Sequence, residues 1–103
     1  MKNSKIFPML GLAMKSRNLV SGEFMTEKAV KEGNAYLVIV SEEASENTKK
    51  KFRNMCSFYE VPIYFYGTMD ELGHCIGKEF RASAAITDEG FAKSIISRLE
   101  CEE

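Results

Sequence analysis

The predicted fold depends on the stretch GEFMTEKAVKEGNAYLVIV, residues 22–40. Gly22 lies in a turn, and a short helix follows that ends at Gly33 and Asn34, residue types favoured just after a helix C-terminus. The apolar run at 35–40 is rich in β-branched residues and predicts a strand buried on both faces. A polar loop is thus placed at a helix N-terminus, where N–H groups and a partial positive charge favour phosphate. Most helix starts bind water or a capping side chain, so this pattern alone does not establish an anion site.

The composition is that of an ordinary globular protein. A chain of 103 residues, 45% hydrophobic and 28% charged, can bury a core and is not expected to be disordered. No apolar stretch approaches the roughly 20 residues that cross a bilayer, so we expect a soluble, cytoplasmic protein with no membrane partner. The cysteines are odd in number and widely spaced, which argues against a disulfide framework or a paired-cysteine zinc site. We expect three reduced thiols, two of them in the core: Cys56, Cys75 and Cys101.

Charge is distributed unevenly along the chain. Residues 1–53 contain ten Lys and Arg against six Asp and Glu, a balance of +4. Residues 54–103 contain four against nine, a balance of −5. A basic half can form a surface for nucleic acid even in a protein of net charge −1. The acidic C-terminus explains only part of this asymmetry.

Hydrophobic periodicity predicts the elements on either side of the central stretch. Asn3 or Ser4 is a plausible cap for a helix over 4–16, and Pro8 lies in its first turn or begins the helix itself. The apolar face of this helix consists of Ile6, Leu10, Ala13 and Met14. A short strand follows at Leu19 and Val20.

Local signals also predict the C-terminal half. Ser45 caps a helix whose buried stripe is Phe52, Met55, Cys56 and Tyr59. After a strand at 61–66, Thr68 and Glu71 form a capping box for a helix that ends at Gly77. A strand at 82–87 precedes a last helix, capped by Thr87 or Asp88, with an inner face of Phe91, Ile95 and Leu99. Helices that alternate with four strands predict a three-layer α/β/α sandwich with a central mixed four-stranded sheet.

No residues have the spacing that catalysis requires. His74, the only histidine, is next to Cys75, but adjacent helix residues point in different directions. Residues 73–79 imitate a phosphate loop, yet the glycines are one residue too close and Glu79 replaces the magnesium-binding Ser or Thr. Glu42 and Glu43 are interpreted as solvated loop carboxylates rather than an acid/base pair. We therefore expect a non-enzymatic protein without a cofactor or metal.

What remains is a binding surface. The loop 22–25, the outward side of the next helix at Lys28 and the loop 78–81 can lie at one end of the sheet. Lys28 is one turn into its helix, within reach of a phosphate held at the N-terminus. Phe24, Met25 and Phe80 are of residue types that are usually buried. If they are exposed, each offers an apolar face to an unstacked base.

Four blocks between about residues 6 and 99 carry a family pattern. They are LGLAMKSRNLVSGE (10–23), KAVKEGNAYLVIVSEEASENTKKK (28–51), VPIYFYGTMDELGHCIGKEFR (61–81) and AAITDEGFAK (84–93). Together they resemble the "L-seven-Ae" superfamily of kink-turn RNA-binding ribosomal proteins, which includes the L-thirty-e branch. Within it, the chain is most similar to the small bacterial YlxQ-like branch.

This resemblance implies a single RNA-binding domain over 1–103, an α/β/α sandwich that binds sharply kinked RNA without catalysis. The implied partners are structured RNA, such as ribosomal RNA, and ribosomal or translation-associated proteins, with the chain as a monomer. Two regions that contact RNA in the family map here onto the helix start and the later loop. With Lys31 added, the candidate RNA-binding residues are Gly22, Glu23, Phe24, Met25, Lys28, Lys31, Lys78, Glu79, Phe80 and Arg81.

The chain departs from the family pattern at two of these positions. Phe24 and Met25 stand where archaeal members carry Asn and Glu, and they cannot hydrogen-bond guanine edges. A second hypothesis is therefore a protein-interaction module that kept the fold and lost RNA affinity, with Phe24 and Met25 as a partner surface. An enzyme acting on a phosphorylated small molecule is the least favoured alternative.

Overall fold

A computed structural model describes residues 5–101, and its elements follow the predicted order. They are α1 (Ile6–Lys15), β1 (Leu19–Ser21), α2 (Glu23–Lys31), β2 (Leu37–Val40), α3 (Glu46–Tyr59), β3 (Ile63–Phe65), α4 (Met69–Cys75), β4 (Ser83–Ile86) and α5 (Glu89–Cys101). The predicted cap at Asn3 or Ser4 lies outside the described residues, and Lys5 at the N-cap position makes no side-chain capping bond. Within residues 5–101, no helix is long and apolar enough to span a membrane.

The four strands form one mixed sheet in the order β1-β4-β2-β3. β2 and β3 are parallel, whereas β4 lies between β1 and β2 and runs antiparallel to both. The end of β1, the start of β4 and the end of β2 therefore meet at one end of the sheet. The two candidate loops are attached here, since Gly22 follows β1 and residues 78–81 precede β4.

Helices cover both faces of this sheet. Successive strand side chains point to opposite faces. Leu37 and Ile39 of β2 pack into a core with α1, α4 and α5. Val38 and Val40 pack into a second core with α2 and α3. All four side chains are 0% exposed, which confirms both the buried central strand and the three-layer sandwich.

Local capping signals are present where the sequence predicts them. The Ser45 hydroxyl accepts a hydrogen bond from the first turn of α3, at 3.1 Å. Thr68 and Glu71 form the complete capping box of α4. Asp88, rather than Thr87, caps α5, because its Oδ2 accepts a first-turn N–H at 2.9 Å. These caps fix where three of the helices begin.

Two burial predictions are partly wrong. The last residue of α3, Tyr59, is 41% exposed and packs edge-on against Phe58, because the helix ends there, beyond its buried stripe. All three cysteines are free, but Cys56 alone is buried, while Cys75 packs at the margin of a core and Cys101 is exposed. Burial raises the pKa of the Cys56 and Cys75 thiols to about 11, so both stay protonated at neutral pH.

Candidate nucleic-acid interface

Gly22 sets the direction of α2. Its φ of 90° and ψ of 158° lie in a region that is essentially restricted to glycine. The Gly22 N–H donates to the Ser83 carbonyl at 2.9 Å, and the Gly22 carbonyl accepts from the Thr26 N–H at 3.0 Å. No side chain caps α2. Its first-turn N–H groups, which have no acceptor within the helix, therefore remain available to a ligand.

The loop 78–81 lies directly beside this helix start. Arg81 Nε donates a hydrogen bond to Ser21 Oγ at 3.1 Å, and Arg81 Nη1 donates to the Phe80 carbonyl at 2.8 Å. A Cβ placed on Gly22 would lie 3.9 Å from Arg81 Nε. The fold thus brings together the two regions that sequence reasoning singled out. Arg81 is half-buried and anchors the loop, whereas Lys78, Glu79 and Phe80 are exposed.

A glycine that sequence reasoning missed determines where the loop lies. A Cβ on Gly73 of α4 would be 2.7 Å from the Glu79 carbonyl oxygen and 2.9 Å from Phe80 Cα. The Lys78 N–H donates to the Gly73 carbonyl at 2.8 Å. The loop backbone therefore packs directly on α4, an approach that a larger residue would block. An unexplained glycine inside a capped helix is the signal that could have identified this contact.

Three large apolar side chains are exposed around the helix start. Phe24 is 74% exposed, Met25 41% and Phe80 60%. The expectation that such residues are buried is wrong here. Phe24 and Met25 are exposed because α2 turns a different stripe, Thr26, Ala29 and Val30, toward the sheet, and Phe80 lies in the exposed part of the loop 78–81. An exposed aromatic ring can stack with any base, since every base has a π-face.

The cations of α2 and α3 differ in how they are paired. Lys31 Nζ lies 2.7 Å from Glu27 Oε2. Lys51 Nζ, on α3, lies 2.9 Å from Glu23 Oε2 and 2.8 Å from Glu27 Oε1. Lys28, by contrast, forms no ion pair with any residue between 5 and 101.

The pairing neutralises one side of α2. Hydrogen bonds from Lys31 and Lys51 lower the pKa of Glu27 to about 2, and Glu27 and Glu23 in turn raise the pKa of Lys51. The four residues form a cluster, hereafter the α2–α3 ion-pair cluster, whose charges cancel. Sequence reasoning treated Lys31 like Lys28, although its partner Glu27 lies four residues away on the same helix. It did not identify Lys51 as a partner of α2, because Lys51 is on a different helix.

Among residues 5–101, no hydrogen bond joins the residues considered for catalysis to one another: His74, Cys75, Glu42 and Glu43. The Cys75 thiol donates to the Leu72 carbonyl at 3.2 Å rather than contacting His74, which is exposed. Glu42 and Glu43 are exposed loop residues, and Glu43 Oε1 accepts a hydrogen bond from the Met69 N–H at 3.0 Å. Across residues 5–101, no group of three His, Cys, Asp or Glu is placed to hold a metal.

Comparison with known proteins gives consistent matches. The model of the ribosomal protein L7Ae/L30e/S12e/Gadd45 family matches residues 4–96. A Bacillus subtilis (strain 168) protein named RNA-binding protein YlxQ is 43% identical over 100 residues, 97% of this chain and 100% of that one. Large ribosomal subunit protein eL30 of Trypanosoma brucei brucei is 33% identical over 81 residues, covering 77% of each chain. A solved structure from Bacillus halodurans C, described as a protein of unknown function, superimposes with a TM-score of 0.91 at 36% identity, covering 95% of this chain and 99% of that one.

Proposed function

The chain belongs to the ribosomal protein L7Ae/L30e/S12e/Gadd45 family, and on that premise we propose that it binds structured RNA. The family is one of ribosomal and RNA-binding proteins rather than of enzymes, and this membership confirms the prediction of a non-enzymatic protein. One observation carries the proposal: exposed Phe24 and Phe80 flank a helix N-terminus that has no side-chain cap. Available N–H groups suit a phosphate, and the two rings suit unstacked bases.

Each part of the surface has its own role in the proposed complex. Phosphates contact the first turn of α2 and the unpaired Lys28, which contributes affinity rather than sequence choice. Bases stack on Phe24 and Phe80. Arg81 holds the second loop against Ser21 and so fixes the separation of the two rings. Since neither ring reads a base edge, the preferred RNA is defined by shape.

The target that suits these roles is RNA with a sharp kink and splayed-out bases, such as a kink-turn in ribosomal RNA. Continuous A-form duplex keeps its bases stacked and offers nothing to an aromatic platform. We place the protein in the cytoplasm, as a monomer associated with the ribosome or the translation machinery. The ribosomal names in its family support that association.

The experiment compares purified protein binding to a kink-turn RNA and to a matched duplex without the kink, across a salt series. We expect the kinked RNA to bind at least about tenfold more tightly, with affinity that falls as salt rises. Equal, weak binding to both RNAs contradicts kink recognition and leaves nonspecific electrostatics.

Matched aromatic variants locate the contact. Phe24→Ala and Phe80→Ala should each weaken binding to the kinked RNA about fivefold or more, the usual effect of removing one stacking partner. Phe58→Ala is the control, because Phe58 is 77% exposed but lies on α3, near its C-terminus. Loss of affinity in all three variants, or in none, contradicts the proposed site.

The same exposed side chains support a second candidate, a protein-interaction module. Phe24, Met25 and Phe80 would then form the partner surface, since neighbouring exposed apolar residues mark interaction sites. This candidate predicts binding to assembled ribosomes without binding to free RNA. Phe24→Ala should abolish that binding, and Phe58→Ala should not.

A further inference from the structure

A groove of about 140 Å³ runs between α2 and β1, on the side of α2 away from α3. Its apolar lining consists of Val20 from β1 and Met25 and Ala29 from α2. Met25 is also part of the exposed surface at the helix start, so the groove opens next to the proposed RNA contact. It lies on a different side of α2 from the α2–α3 ion-pair cluster.

The polar lining of the groove has no partners in the described structure. It consists of Lys28, Glu32, Asn34 and Thr87. No side chain of these four residues forms a hydrogen bond or an ion pair with any residue between 5 and 101. Lys28 and Glu32 are four residues apart on one helix face, yet they do not pair with each other. An ammonium, a carboxylate, an amide and a hydroxyl are therefore all available around one small apolar groove.

We propose that this groove holds one unstacked nucleotide of the bound RNA, a site that rests on the proposed function and adds a subsite to it. The base lies against Met25 and Ala29, and its phosphate contacts Lys28. Asn34 can both donate to and accept from a base edge, and Thr87 can do the same. Glu32 accepts from an exocyclic amino group, which adenine, cytosine and guanine carry and uracil lacks, so these three bases are favoured over uracil.

The combination of groups favours a nucleotide over other occupants. An apolar lining with a few polar groups is typical of a small-molecule site, and this groove has room for little more than one base. A single unpaired cation matches a single phosphate. A hydrophobic peptide side chain would fill the apolar part and leave the amide, hydroxyl and carboxylate to water, so it would use less of the lining than a nucleotide does.

The test combines changes in the RNA with changes in the groove. Each unpaired nucleotide of the kink-turn RNA is replaced in turn by an abasic residue, which keeps the phosphate and removes the base. The protein variants are Asn34→Leu and Thr87→Val, which keep side-chain volume and remove hydrogen bonding. At one RNA position, we expect the abasic change to weaken wild-type binding about fivefold or more.

At that same RNA position, the losses of binding free energy caused by the abasic change and by the protein variant should not add. Asn34→Leu should weaken binding to the intact RNA and cause no further loss with the abasic RNA, because both changes remove the same contact. Asn54→Leu, an exposed asparagine on α3, is the control and should leave both affinities unchanged. Full additivity at every position overturns the subsite, even if the protein still binds kinked RNA.

A direct readout separates this subsite from the proposed function. With ¹³C-labelled methyl groups, the Met25 and Ala29 signals should shift on binding intact RNA and return toward their free positions with the abasic RNA. Free nucleoside monophosphate at the same concentration should not shift them. If it does, the groove is a site for small nucleotides and the RNA assignment is wrong. If no RNA binds with a salt-dependent affinity, the proposed function itself fails.

Discussion

The two flanks of α2 carry similar residues and present different surfaces. On the flank facing α3, Glu27 is held by Lys31 at 2.7 Å and by Lys51 at 2.8 Å. On the flank facing β1, Lys28 and Glu32 border a groove of about 140 Å³ without pairing. One flank is neutralised by contacts within the protein, and the other keeps a cation for a ligand. Counting lysines along a helix therefore overestimates the charge that a phosphate encounters.

The difference has a structural cause. α3 carries a lysine opposite the first turn of α2, and Lys51 reaches both Glu23 and Glu27. β1 is a three-residue strand that contributes Val20 to the groove and no charge opposite Lys28. The availability of a cation therefore depends both on the helix and on its neighbour, since Lys31 is paired within α2 whereas the second partner of Glu27, Lys51, comes from α3.

The largest expected effect comes from changing Gly22, the residue at which α2 begins and from which both of its flanks are positioned. Gly22→Ala forces a non-glycine residue to φ 90°, which costs about 1–3 kcal/mol of stability, while space is not limiting because Arg81 Nε is 3.9 Å away. A thermal unfolding midpoint lower by about 10 °C, with weaker RNA binding, is expected. Gly33→Ala is the control for backbone strain alone: Gly33 also has positive φ and nothing within 4 Å of a Cβ, so its unfolding midpoint should fall by a similar amount. Unchanged stability in Gly22→Ala would mean that the turn is not strained.

Removing one lysine from each flank of α2 tests whether the two flanks differ in the charge they offer to RNA. Lys28→Ala should weaken RNA binding about fivefold and reduce the slope of log affinity against log salt by about one, as expected for one lost phosphate contact. Lys31→Ala should change the slope by much less, because Lys31 is already paired with Glu27. Affinity measured at four or more salt concentrations distinguishes the two variants. Equal slopes for both variants would contradict the difference between the flanks.

The neutral flank can also be converted into a charged one. Glu27→Gln removes the partner of Lys31, while Lys51 keeps Glu23, so the salt slope should steepen by about one and affinity at low salt should rise about threefold. Glu89→Gln is a matched control, because Glu89 pairs with Lys93 at the same spacing on α5. A gain of affinity in both variants would indicate a general charge effect and not the α2–α3 ion-pair cluster.

The smallest expected effect is on pH dependence. The pKa of Glu27 is about 2 in the folded protein, below its ordinary value of 4.5, so its ion pairs contribute stability above about pH 4.5 that is lost as pH falls toward 2. The difference in unfolding midpoint between wild type and Glu27→Gln should be constant from pH 8 to 5 and should shrink below pH 4. Midpoints measured by circular dichroism at pH 7, 5 and 3 test this. If the difference in unfolding midpoint changes between pH 8 and 5, a group other than Glu27 is responsible.

Much of the fold could be predicted because its determinants are local. Thr68 and Glu71 are three residues apart, and the capping box they form depends on little else. The run 35–40 is apolar, which predicts a strand buried on both faces, and this holds for Leu37–Val40 but not for Tyr36, which precedes the strand and is 43% exposed. The place of β4 between β1 and β2 was not predicted, because residues 19–21 and 83–86 pair across more than half of the chain.

The candidate site was predicted less completely than the fold. The sequence predicted that the loops 22–25 and 78–81 can lie at one end of the sheet. In the structure, the hydrogen bond from Arg81 to Ser21 joins these two regions. The exposure of Phe24 was not predicted, because residue type favours burial and only the rotation of α2 on the sheet determines which stripe is buried. The contact between Gly73 and the loop at Glu79 was missed, because a glycine does not indicate which backbone approaches it.

By itself, the sequence determined the order of the elements, the caps of α3 and α4 and the two regions of the candidate surface. These depend on spacings of a few residues, over which side-chain and backbone geometry are fixed by the helix and strand periods. Only the tertiary structure decided that Lys28 is unpaired, that Lys51 pairs with Glu23 and Glu27, and that Phe24 and Phe80 are exposed. An ion pair acts over a few ångströms of space, so Lys51 and Glu23, which are 28 residues apart, can meet only after α2 and α3 have packed on the same face of the sheet.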